Sequence, residues 1–122
     1  MRQLATAIGI SSLLIWGSAL AHAHLETAAP ADGSVVTNPP ATLALTFSQT
    51  VRLTALWIQQ DDEPKRPVPS LPITKAPTVT VGLPALTPGV YTVTWRLLGK
   101  DGHIASGELH FTIAAPNTKD RR

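Results

Sequence analysis

Beyond residue 40, apolar and polar side chains alternate along the chain. In TLALTF, Leu43, Leu45 and Phe47 share one parity, while Thr42, Ala44 and Thr46 share the other. Successive side chains of a strand point to opposite faces, so this pattern predicts a half-buried strand. VRLTALWIQ, beginning at Val51, reads as a second strand, and PTVTVGL offers Val79 and Val81. In VYTVTWRLL, Tyr91, Val93, Trp95 and Leu97 alternate against Thr92, Thr94 and Arg96. GELHFTI closes the set with Leu109, Phe111 and Ile113 facing inward. Turn chemistry separates the runs at Asp32-Gly33, Asn38-Pro39-Pro40, Thr87-Pro88-Gly89 and Asp101-Gly102. Short alternating strands between Pro and Gly turns predict an all-β domain, an immunoglobulin-like β-sandwich with Trp95 in its core. Residues 61 to 77 hold five prolines and no periodicity. They are expected as a long ordered surface connection with room for one short edge strand.

The N-terminal segment has another pattern. Arg2 supplies a positive start, Leu4 to Leu20 is largely apolar, and small residues follow at Ala19, Ala21 and Ala23. This is the layout of a secretory signal peptide, residues 1–23, with cleavage after Ala23 and a second credible site after Ala21. A retained membrane anchor is the competing reading, since about 20 apolar residues can span a bilayer. The short run and the small-residue site favour the exported form. Residues 24–114 then form the domain, and 115–122 a flexible polar tail.

Charge and composition remove several function classes. Beyond Ala23 the chain carries nine Lys/Arg and eight Asp/Glu, a net charge of +1 with no basic stripe for nucleic acid or an anionic membrane. It has no cysteine, and its one methionine is the initiator, so neither thiolate nor thioether sites are available. Candidate metal chemistry falls to histidines and carboxylates.

Of four histidines, His22 is lost on cleavage after Ala23, and His110 alternates with Leu109 and Phe111, which puts it on the outer face of the last strand. That leaves His24 and His103. A terminal His24 would present an α-amine and an imidazole Nδ1 that close one chelate ring. His103, in the turn sequence KDGHIASG, would add a second imidazole, and Asp101, two residues earlier, an oxygen. A nitrogen-rich, roughly tetragonal set suits Cu(II), one ion per chain, better than Zn(II), which prefers a tetrahedral arrangement. Cleavage after Ala21 would instead expose His22-Ala23-His24, a local square-planar chelator that needs no folded domain.

The stretches AHAHLETAAPADGSVV, LALTFSQTV and LTPGVYTVTWRLLGKDGHIASGELHFTI together resemble the CopC family of periplasmic copper-binding proteins. His24, Pro30-Ala31-Asp32-Gly33, Tyr91 to Arg96, Asp101-Gly102-His103 and Gly107 match that family's pattern in order and spacing. The resemblance implies a Greek-key sandwich or barrel of about seven strands. It also implies Cu(II) held through His24, Asp101 and His103, copper homeostasis or resistance in the periplasm, and cooperation with an inner-membrane copper transporter of the CopD type. Two departures stand out. Gln49 occupies a position that is often Glu in the family; it cannot ionise, and is expected either to hydrogen-bond to a ligand or bound water through its amide or to be an ordinary polar residue at a strand end. The loop that is Met-rich in Cu(I)-binding relatives has neither Met nor His here. Two rival readings remain. One is a histidine-brace copper monooxygenase, against which stand the short chain and its sparse aromatics. The other is a metal-free immunoglobulin-like interaction module.

Overall fold

A computed structural model describes residues 23–116. The proposed signal peptide, apart from Ala23, and most of the proposed tail lie outside the described residues. Seven strands follow in chain order: β1 (Leu25–Ala29), β2 (Ser34–Val36), β3 (Thr42–Gln60), β4 (Arg66–Pro67), β5 (Ala76–Gly82), β6 (Gly89–Gly99) and β7 (Ile104–Ile113). No helix among the described residues is long and apolar enough to cross a membrane.

The two strands expected at 42–47 and 51–59 are one strand, β3, of 19 residues. Ser48, Gln49 and Thr50 contain no Gly or Pro, so nothing there stops the extended backbone. The ladder does change partners. The first half of β3 lies between β1 and β5, and the second half pairs with β6 and β4. Against β5 the register jumps from Thr46↔Thr78 to Val51↔Ala76, so residues 47 to 50 bulge opposite Pro77, which has no N–H to offer. This corner carries β3 from one layer of the sandwich to the other. A second bulge at Thr54 resets the parity: Val51 and Leu53 are buried, then Leu56 and Ile58. The Thr54 hydroxyl donates to the Arg96 carbonyl at 3.1 Å.

The all-β, immunoglobulin-like Greek-key sandwich expected from the sequence is the architecture found. One layer is β1, the first half of β3, and β5. The other runs β4, the second half of β3, β6, β7 and β2, with β2 parallel to β7. The inward residues of both layers make one core, with Leu43, Leu45, Val79 and Val81 on one side and Val93, Leu97, Leu109 and Ile113 on the other. Phe47 meets Trp95 edge-on across the layers, with ring centroids 5.9 Å apart. Tyr91 stacks on Phe111 at 5.3 Å, and its hydroxyl donates to the Thr87 carbonyl. Trp95 is in the core as expected, and Gly107 beneath it is required: a Cβ there would lie 2.7 Å from Trp95 Cζ2. The Pro-rich connection supplies the short edge strand β4 and then plugs Val68 into the core, its N–H donating to the Leu56 carbonyl at 2.8 Å.

Candidate metal centre

Three segments meet at the end of the sandwich where β3 turns its corner. The first is the chain ahead of β1. The His24 backbone N–H donates to Ser48 Oγ at 3.0 Å, and the Ser48 N–H donates to the His24 carbonyl at 2.9 Å. Residue 24 is therefore tied by both backbone groups to the corner of β3, while its side chain is exposed.

The second segment is the β6–β7 connection. Gly99 N–H donates to the His103 carbonyl at 2.9 Å, and Gly102 N–H to the Gly99 carbonyl at 3.0 Å, with Gly102 at φ +83. A positive φ costs glycine little, which suits the DGH sequence to this tight loop. Within it, Asp101 Oδ1 accepts the His103 N–H at 3.0 Å, and Oδ2 lies 2.9 Å from His103 Nδ1. The hydrogen bond from the His103 side chain, then that from its backbone, hold the Asp101 carboxyl below its ordinary value of 3.8. With Nδ1 donating to the carboxylate, the neutral ring carries its lone pair on Nε2, the arrangement that orients metal-binding histidines elsewhere.

The third segment is Gln49, half-buried on the corner. Gly99 marks where corner and loop touch: a Cβ there would lie 2.9 Å from Asp101 Oδ1 and 3.5 Å from Gln49 Oε1. Gln49 thus sits beside the loop that carries Asp101.

The structure joins Asp101 to His103, sets Gln49 beside them, and anchors the backbone of His24 on the neighbouring Ser48. It does not gather a preformed donor set, because among the described residues no three His, Asp or Glu side chains converge. Sequence reasoning missed Ser48. The signal available was its position next to Gln49 in the FSQ motif. His110 lies on the exposed outer face of β7 as expected. Its N–H donates to Asp32 Oδ1 at 2.8 Å, and its ring stands 3.8 Å from both Asp32 and Glu108.

Residues 25–114, from the first strand to just past the last, match the profile of the CopC domain. The chain belongs to the CopC family. It is 29% identical over 118 residues to protein YobA of Escherichia coli K12, covering 92% of this chain and 95% of that one. To copper resistance protein C of Xanthomonas campestris pv. juglandis it is 26% identical over 119 residues, covering 88% and 92%. Among solved structures, CopC from Methylosinus trichosporium OB3b superposes with a TM-score of 0.65 at 27% identity, over 76% of this chain and 94% of that one. PcoC, a methionine-rich copper resistance protein from Escherichia coli, gives 0.58 at 26% identity, over 76% and 99%. This CopC-family chain does not share the methionine-rich character, since its single methionine is residue 1.

Proposed function

We propose that this CopC-family protein is exported to the periplasm, binds one Cu(II) ion, and buffers or carries copper in homeostasis and resistance. Membership of the family and likeness to copper resistance proteins support copper as the cargo. The observation that carries the site is the Asp101–His103 pair, which sets an imidazole on the loop beside the corner that holds residue 24.

In this reading, cleavage after Ala23 makes the His24 nitrogen a free amine. Its neutral form and the His24 imidazole Nδ1 bind copper as one chelate, and His103 Nε2 binds from the loop. Asp101 supplies an oxygen donor by swinging its carboxylate off His103 Nδ1, because Nδ1 and Nε2 point to opposite sides of the imidazole. Gln49, uncharged, supports the site by hydrogen bonding. The donor set fits Cu(II), with three nitrogens, a carboxylate oxygen and no sulfur. Since the side chains are not gathered beforehand, binding must bring the His24 imidazole to the loop while Ser48 keeps its backbone in range.

The role is that of a carrier rather than a catalyst, because Asp101 fills a position that oxygen would need. An inner-membrane transporter of the CopD type is the proposed recipient. A competitive Cu(II) titration of two forms tests the site, one starting at His24 and one with a single Met before it. Weakening by orders of magnitude in the extended form is expected. Equal affinity of the two forms would sink the terminal chelate. Intact mass of the exported protein separates cleavage after Ala23 from cleavage after Ala21, and peroxide turnover with ascorbate well above that of free copper would revive the enzyme reading.

A further inference from the structure

Beside the Gly99–His103 loop lies a notch of about 140 Å³, lined by Thr50, Val51, Lys75, Leu98 and Lys100 together with two glycines of the loop. Its two lysines, both exposed, come from segments far apart in sequence, and the fold brings them to the rim of one small space. Among the described residues neither lysine has a carboxylate in ion-pair range, since every such contact involves His103 or His110. The carboxylate adjacent to Lys100 in sequence is Asp101, and both of its oxygens are engaged by His103. Arg52, exposed and paired with Leu98, adds positive charge nearby. The acidic run Asp61-Asp62-Glu63 cannot compensate. Asp61 bonds to Val90, at the end of β6 opposite Gly99.

Size and lining restrict the occupant. A water molecule's share of liquid volume is about 30 Å³, so the notch holds one carboxylate with a short stem and no folded element. Val51 is buried and Leu98 half-buried, giving an apolar wall, while Thr50 and the two lysines supply the polar, cationic part of the lining. We propose that this notch binds a carboxylate of the molecule that gives copper to this protein or takes it away. The proposal rests on the copper-carrier reading and deepens it: the partner's acid group is seated next to the loop of His103 while the metal changes hands. The carboxylate belongs either to a small acid that chelates copper or to an Asp or Glu side chain of an exchanging protein.

The test uses the metal-free protein starting at His24, followed by amide NMR at fixed ionic strength, with citrate, a short glutamate peptide and sulfate as probes. Saturable shifts at Thr50, Gly99 and Gly102 with citrate or the peptide are expected, and whichever binds tighter names the source. In Lys75→Gln/Lys100→Gln the affinity should fall roughly tenfold, and Lys75→Arg/Lys100→Arg should retain it. No saturable shift with either carboxylate, an equal response to sulfate, or wild-type affinity in the Gln variant would each overturn the proposal. Cu(II) titration of the same samples separates the two ideas: unchanged copper affinity without carboxylate binding removes the notch alone, and carboxylate binding without copper affinity removes the carrier reading.

Discussion

The domain contains two aspartate–histidine pairs that look alike on paper. In each, Asp Oδ1 accepts the backbone N–H of its histidine, at 3.0 Å for Asp101–His103 and 2.8 Å for Asp32–His110. Only the first also brings the carboxylate onto the ring, at 2.9 Å against 3.8 Å. The loop pair is two residues apart, so one short turn fixes both side chains together. The strand pair is joined across 78 residues and serves to pin the Pro30–Gly33 turn to β7. His110 also faces Glu108, so its ring is shared between two distant carboxylates rather than oriented by one. Composition alone does not separate the two pairs; the carboxylate's contact with the ring does.

The comparison can be broken most directly by removing each imidazole. His103→Ala is expected to weaken Cu(II) binding by more than roughly a hundredfold, and His110→Ala to leave it unchanged, in the same competitive titration. Equal losses would erase the distinction. Removing the carboxylates comes next. Asp101→Ala should cost roughly 10–100-fold in copper affinity, while Asp32→Ala should leave affinity alone and cost about 1 kcal/mol of stability in urea unfolding, for the lost hydrogen bond.

Acid sharpens the contrast further. The Asp101 carboxyl is held below 3.8, so its stabilisation of the loop is fully present above its unfolded value and is lost only as pH falls through the lower folded one. A carboxyl-carbon NMR titration should place the Asp101 midpoint below 3.8, and Asp101→Asn should abolish that loop transition. Copper release begins at much higher pH, because the amine and imidazoles must be neutral to bind. Affinity should fall steeply between about pH 8 and about pH 5, and a flat profile would contradict the nitrogen ligands. The smallest effect expected is at Gln49. Gln49→Glu adds a charge beside Asp101 and should tighten Cu(II) by a few-fold, read from the same competition.

Much of this was legible in the residues. The parity of Leu43, Leu45 and Phe47, of Tyr91 to Leu97, and of Leu109 to Ile113 reports strands with one buried face, and those faces are the core. The short strands β1 and β2 carry no clean alternation because they are edges with little to bury. The continuity of β3 was hidden because Ser48, Gln49 and Thr50 look like a polar break, and only the paired strands reveal a corner. The Thr54 bulge is visible as the parity change from Leu53 to Leu56. Asp101 and His103 could be paired from DGH, since the contact is local. The tie between His24 and Ser48, and the placing of Lys75 and Lys100 around one notch, depend on the fold closing and leave no trace in spacing.

The sharing of β3 by both layers has a consequence for how the molecule comes apart. Each sheet is sewn to the same thread, so neither can peel away while the other persists. Amides in its first half and in its second should exchange with deuterium through a single global opening, with one common free energy. The seam at Ser48 and Gln49 is the middle of that thread. The platform to which residue 24 is tied should therefore last as long as the protein itself stays folded, while the terminal residue frays from it locally.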